Sequence, residues 1–201
     1  MTTGTGNTTV HLAVYDTLAD WETGHATAWL ARAGHTIRTV GPAAGEPVTT
    51  LAGIRIVPDL ALGDLRPEDS ALLILPGADT YDEGDGLAPF TAKARAFLDA
   101  GVPVAAICGA TAGLAREGLL DGRRHTSAAR SYLAATGYRG GDHYVEADAV
   151  RDGNLITAGP TEPVAFAREI FARLGAYEGQ RDAWYRLFHH SDPAAYEELN
   201  G

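Results

Sequence analysis

Continuous apolar runs and segments with helical spacing take turns along this chain, and the alternation starts early. Residues 10–15 (Val10-His11-Leu12-Ala13-Val14-Tyr15) form a short apolar run that predicts a strand. Residues 21–33, with Trp21, Ala28, Trp29 and Leu30 apolar, predict a helix that Gly34 stops as a C-cap, and 35–40 alternates as a second strand. The pattern over 47–58 suits a β-hairpin with Ala52-Gly53 at its turn, and 58–67 reads as a connection. Residues 71–75 and 102–107 are unbroken apolar runs, the signature of strands buried on both faces of a parallel sheet. A helix over 90–100, closed by Gly101, separates them. Further on the pattern predicts a helix over 111–116, a turn over 118–122, a strand over 124–127 and a helix over 128–135. Asp152-Gly153-Asn154 signals a turn before a strand at 155–157, and 163–174 is amphipathic with helical spacing. Strands alternating with helices predict an α/β, doubly wound, mostly parallel sheet sandwiched by helices. Residues 177–199, where Trp184, Tyr185, Leu187 and Phe188 cluster, predict one or two more helices packed on the same domain. The expected organisation is a flexible tail over 1–8, an α/β domain over 9–174 and a helical extension over 175–201.

Composition narrows the functional classes. The chain has 201 residues, 45% hydrophobic and 21% charged, enough for one buried core and unlike disordered sequence. Its formal charge of -10 repels phosphate backbones and anionic lipid, so neither nucleic acid nor a membrane is an expected partner. No apolar run approaches the ~20 residues that span a bilayer, and Met1 to Asn7 lacks the basic and apolar stretches of a secretory signal, so a cytoplasmic location is expected. Seven histidines show no metal-ligand spacing beyond the adjacent His189-His190, and no phosphate-cradling motif is present. Neither a metal nor a cofactor is expected.

The chain's lone cysteine, Cys108, cannot form an internal disulfide, so its chemistry is that of a thiol. It follows a buried strand and precedes Gly109, Ala110 and a helix, the layout of a nucleophile elbow beyond the carboxyl end of a parallel strand. The helix terminus favours thiolate relative to the ~8.5 of a free thiol. The backbone N–H groups of Gly109 and Ala110 are placed to hold an oxyanion, and those of the turn Pro76-Gly77-Ala78 to complete the hole. Glu22, expected to open the first helix, is the candidate acid, with Trp21 beside it to exclude water. Tyr81, in the loop after Gly77, is a candidate pocket wall. Trp29 is expected in the core, and Asp79, Asp82, Glu83 and Asp85 in a solvated loop that disfavours anionic substrates.

Five fragments in order resemble the ThiJ/PfpI superfamily, the parkinsonism-associated deglycase relatives on the flavodoxin-like, class I glutamine amidotransferase-like fold. They are Asp20-Trp21-Glu22 followed by Gly34, Leu75-Pro76-Gly77, Ala106 to Ala110, Gly122 to Ser127, and Asp152 to Thr157 with Gly159-Pro160. The resemblance implies a reactive Cys108, a Glu22 that hydrogen-bonds it, oxyanion donors at Gly109 and Ala78, and a homodimer. Two departures from the family pattern stand out. Many relatives hold a histidine at the positions of Gly109 or Ala128, and the late segment Gly159-Pro160-Thr161-Glu162 supplies only half of an amidotransferase His/Glu pair. Glutaminase activity is therefore disfavoured. His125 lies three residues from Ala128, on the opposite face of a regular strand, and is the nearest substitute base.

Two charges at hydrogen-bond distance repel, so Cys108 and Glu22 are expected to share one proton. Such a pair suits addition of the thiol to a small carbonyl compound and a glyoxalase- or hydrolase-type reaction. It also suits a redox-responsive stress protein or chaperone in which Cys108 is the oxidation sensor. An inactive amidotransferase-like binding domain is the third reading.

Overall fold

The computed structural model describes residues 7–200, so most of the tail expected over 1–8 lies outside the described residues. Strand β1 (Thr9–Ala13) leads through a loop into helix α1 (Gly24–Arg32) and strand β2 (Thr36–Gly41). A hairpin of β3 (Val48–Thr49) and β4 (Arg55–Ile56) follows, then β5 (Leu60–Ala61) and β6 (Leu72–Leu75). Helix α2 (Ala88–Asp99), strand β7 (Val104–Ile107) and helix α3 (Gly109–Arg116) form the centre. After them come α4 (Arg130–Ala134), β8 (Ala149–Asp152), β9 (Leu155–Ala158) and α5 (Pro163–Leu174). Helices α6 (Arg181–His190) and α7 (Pro193–Asn200) end the chain.

The main sheet runs β5-β2-β1-β6-β7-β9-β8, parallel throughout except for β8 against β9. The unbroken apolar runs are explained by burial on two sides. Along β6, Leu73 and Leu75 enter one core while Leu72 and Ile74 enter the other, and Val104 and Ala106 of β7 part company with Ala105 and Ile107 in the same way. Phe90, Ala94 and Phe97 of α2 and Leu114 of α3 cover the first face. Leu30 of α1, Phe166 and Ile170 of α5, and Trp184 of α6 cover the second. Trp184 is fully buried against Trp29, Phe171 and Phe188, and the Tyr177 hydroxyl donates to Trp29 O at 2.7 Å.

The doubly wound fold is as expected, with local corrections. The strand expected over 124–127 is a single bridge, His125 to Tyr144, because side chains take the bonds a ladder would make. Thr126 N–H donates to Thr157 Oγ1 at 2.9 Å and Thr126 Oγ1 to Ala147 O at 3.0 Å. The connection expected over 58–67 contains β5, which extends the sheet beside β2, and β8 forms an antiparallel edge around Asp152-Gly153-Asn154 that the apolar pattern did not show. Helix α1 begins at Gly24, so Glu22 belongs to the turn ahead of it and not to the helix. Winding reverses between β1 and β6, and ligands of open α/β sheets bind beyond the strand ends at such a switch point. No helix among the described residues is long and apolar enough to cross a membrane.

Candidate active site

Three loops leave adjacent strands at this point. Glu22 follows β1, Gly77 follows β6 and Cys108 follows β7. Cys108 has φ 56° and ψ -125°, a conformation L-residues avoid, and it turns the chain from strand to helix within one residue. Neighbouring bonds hold this strained turn. Cys108 N–H donates to Ala158 O at 3.1 Å, and Thr111 donates to Cys108 O through N–H at 3.0 Å and Oγ1 at 2.6 Å. The Thr111 and Ser127 hydroxyls lie 2.6 Å apart and tie the elbow to the 126–128 loop.

Gly77 is the contact point between the two halves of the site. A Cβ there would stand 2.8 Å from Cys108 Cβ and 2.9 and 3.0 Å from the Glu22 carboxyl oxygens. Only a glycine lets carboxyl and thiol approach this closely. Gly77 N–H donates to Glu22 Oε2 at 2.5 Å, whereas Oε1 is buried without a hydrogen-bond partner. Glu22 is fully buried, and that burial raises its carboxyl from 4.5 to about 7 against the opposing effect of the Gly77 N–H and the neighbouring thiol. Burial first, then the Glu22 charge, pushes the Cys108 thiol up to about 12, with the Gly109 N–H pulling the other way. This corrects the expectation from the helix terminus alone: while Glu22 is ionised the thiol keeps its proton. Protonating Glu22 removes the repulsion but not the burial penalty, which the Gly109 N–H and the α3 terminus oppose. The pair therefore carries at most one negative charge near neutral pH, gained as Glu22 ionises around 7, with the unpartnered Oε1 open to the proton.

Cys108 is partly accessible and opens into a crevice of about 250 Å³. Trp21, Glu22, Gly77, Ala78, Gly109 and Ala128 all line it, so the structure brings these sequence candidates together. Gly77 differs from expectation in one respect, since its N–H is engaged by Glu22, which leaves Ala78 and Gly109 as the crevice-lining backbone donors. Trp21 stands at the rim, 52% exposed, with Nε1 donating to Pro160 O at 3.0 Å.

Three candidates lie elsewhere. Tyr81 is sealed beneath the elbow, its hydroxyl 3.2 Å from that of Tyr15, and forms core instead of a crevice wall. Ala110 is fully buried in the same core. His125 is fully buried too, with Nδ1 2.7 Å from Arg123 O and Nε2 3.1 Å from the Tyr138 hydroxyl, so it serves the packing of Tyr138 and Tyr144 and no base replaces the family histidine. A side chain after the cysteine would fit tightly: a Cβ at Gly109 would stand 3.2 Å from Ala78 O and 3.3 Å from the Tyr81 side chain, so these neighbours would have to give by a few tenths of an ångström. The sequence reading missed Tyr132, Leu51, Ala19 and Thr17, which also line the crevice. Tyr132 donates to Asp82 Oδ1 at 2.8 Å and carries no local sequence signal, whereas Leu51 beside the Ala52-Gly53 turn was identifiable as a hairpin tip.

Comparison with known proteins gives the same picture. The sequence model of the DJ-1/PfpI family matches residues 8–173. A Bacillus subtilis (strain 168) protein called "Uncharacterized protease YoaZ" is 37% identical over 201 residues, covering 94% of this chain and 95% of that protein. "Protein/nucleic acid deglycase 2" of Escherichia coli (strain K12) is 29% identical over 147 residues, covering 72% and 85%. The crystal structure of the thiJ/pfpI family protein from Bacillus anthracis superposes with a TM-score of 0.89 at 34% identity, covering 96% of this chain and 95% of that one. With the family match spanning both cores and the elbow, the chain belongs to the DJ-1/PfpI family.

Proposed function

We propose that this chain is a cysteine-dependent enzyme that converts a small, uncharged carbonyl compound to an acid, with Cys108 as nucleophile and Glu22 as proton shuttle. The observation that carries the reading is a buried Glu22 carboxyl, raised to about 7, packed with the elbow cysteine across Gly77 in a reachable crevice. A group titrating near neutral pH both takes and returns protons there. A volume of about 250 Å³ suits a substrate of few heavy atoms, and Asp79 and Asp82 in the lining disfavour anions.

For a 2-oxoaldehyde the steps balance without a redox cofactor. Glu22 takes the thiol proton as sulfur bonds to the aldehyde carbon, and the carbonyl electron pair moves to oxygen beside the Gly109 and Ala78 N–H groups. Glu22 then protonates that oxygen, giving a hemithioacetal. It next removes the hydrogen on the same carbon and returns it to the neighbouring ketone carbon, while the hydroxyl proton passes to the ketone oxygen, which gives a thioester of a 2-hydroxy acid. Water cleaves the C–S bond, releasing the acid and restoring the thiol. The sum is oxoaldehyde plus water to hydroxy acid.

Methylglyoxal turnover to lactate is the test. Cys108→Ser and Glu22→Gln should each lose roughly 10²-fold or more, and a Glu22→Gln variant at the wild-type rate would refute the shuttle. If wild-type turnover stays at background while peroxide converts Cys108 to a stable sulfinate, the oxidation-sensor reading replaces this one.

The proposed setting is a cytoplasmic homodimer. Trp21, Leu51, Ile54 and Val57 are 52%, 46%, 57% and 58% exposed, an apolar set on and near the crevice rim that a second copy would cover. The net charge of -10 argues against a membrane or nucleic-acid partner.

A further inference from the structure

A second cluster of chemistry-bearing groups gathers at the β8 edge of the sheet. Asp148 immediately precedes β8, Glu162 is the residue before α5, and His189 lies in the last turn of α6. One ligand atom from each falls within 4.8 Å of the other two. His189 Nε2 is 3.7 Å from Asp148 Oδ2, and its Nδ1 is 4.0 Å from Glu162 Oε2. These separations are too long for hydrogen bonds. Each contact uses a different ring nitrogen, and one imidazole gives an ion only one of them; with a single nitrogen the three ligand atoms, all within 4.8 Å of one another, need to close by about an ångström to reach the ~3.4 Å that bonds of about 2.1 Å set in tetrahedral arrangement.

Glu162 provides an independent sign of a missing ligand. Its Oε1 accepts from Thr161 Oγ1 at 3.1 Å, while Oε2, on the His189 side, is shut off from solvent with no hydrogen-bond partner. A buried carboxylate oxygen left in this state is costly unless something binds it. The other two ligands are oriented by one residue. The Tyr185 hydroxyl donates to Asp148 Oδ2 at 3.3 Å, and its ring stacks on His189 with centroids 4.6 Å apart and planes 14° from parallel. Such outer contacts set ligand orientation in metal centres. Among the described residues no lysine or arginine pairs with Asp148 or Glu162; Arg168, over the Tyr185 ring, is committed to Asp182 at 2.8 Å. A cleft of about 370 Å³, lined by Glu146, Asp148, Thr161 and Glu162, gives an ion a way in and room for water in its remaining positions.

We propose that Asp148, Glu162 and His189 bind a divalent first-row transition cation, with Zn²⁺ best matched to one imidazole and two carboxylates. The ion ties the C-terminal helices to the sheet edge and to the α5 N-terminus. Sequence spacing could not show it, because the ligands come from three separate elements and only one is a histidine.

Zn²⁺ titration of the full chain carrying Cys108→Ser, which removes the thiol as a competing ligand, tests the proposal by calorimetry and thermal melting. One equivalent binds, and the melting temperature rises with Zn²⁺ because the ion holds only the folded state. His189→Ala and Glu162→Gln each weaken binding at least about tenfold, whereas His190→Ala leaves it unchanged. Metal-free melts verify that each variant folds. A Cys108→Ser melting temperature indifferent to Zn²⁺, or binding that persists when His189→Ala and Glu162→Gln are each added to it, overturns the site.

Discussion

Glu22 makes the stability of this fold depend on pH in a direction opposite to that of most acidic residues. Its carboxyl stands at about 7 in the folded chain against 4.5 when free, because burial penalises the ionised form. Below about pH 4.5 the group is protonated whether the chain is folded or not, and its full relative stability is present. As pH rises from 4.5 to 7 the unfolded chain releases this proton while the folded chain retains it, so folding is progressively penalised, and above 7 the loss levels off. At about 1.4 kcal/mol per pH unit the whole effect is about 3 kcal/mol, most of which falls between pH 5 and pH 8. Glu22→Gln keeps the volume and an acceptor for Gly77 N–H but cannot ionise. Urea denaturation of wild type and Glu22→Gln at both pH values isolates the contribution, since other titrating groups cancel in the difference. Wild type should lose about 2–3 kcal/mol relative to the variant on going from pH 5 to pH 8. The same difference should persist in a Cys108→Ser background, because burial, the leading cause, does not involve the sulfur. A difference that stays constant with pH would show that Glu22 titrates as an ordinary carboxylate, and the proton-shuttle argument would go with it.

Two further substitutions test the architecture around the pair. Gly77→Ala places a methyl group 2.8 Å from Cys108 Cβ and about as close to both Glu22 oxygens, so turnover should fall at least ~10²-fold; wild-type methylglyoxal turnover in this variant would mean that the contact is irrelevant to catalysis. Trp184→Ala removes a fully buried side chain packed among Trp29, Phe171 and Phe188, and should cost about 3–5 kcal/mol in urea melts. A loss below about 1 kcal/mol would mean that helices α6 and α7 do not share the second core.

The chemistry of the site was partly visible in the chain because elbow chemistry is local. A buried strand, one cysteine, two small residues and a helix are contiguous from Ala105 to Thr111, and the φ of 56° at Cys108 shows the sharp turn those neighbours permit. Glu22 was also identifiable, though as the start of a helix that in fact begins two residues later at Gly24. Strand alternation had set His125 on the face away from the site and it is indeed buried there, whereas reading Tyr81 as a crevice wall failed. Sequence distance from a site residue says nothing about which side of the backbone a side chain takes in a loop, and the Tyr81 ring turns into the core. Tyr132 had the opposite fate, reaching the crevice from a short helix with no motif around it.

What the chain alone determined was periodicity: where apolar runs are long enough to be buried twice, where glycines end helices, and hence a doubly wound sheet with a cysteine at one strand end. Those are nearest-neighbour properties, set by backbone sterics and by the two repeat lengths of strand and helix. The tertiary structure decided everything that depends on distance between remote residues. It placed Gly77 between thiol and carboxyl, raised Glu22 by burying it, withdrew His125 from the crevice, and brought His189 to Glu162. Electrostatic coupling and desolvation act through space, so order along the chain does not encode them.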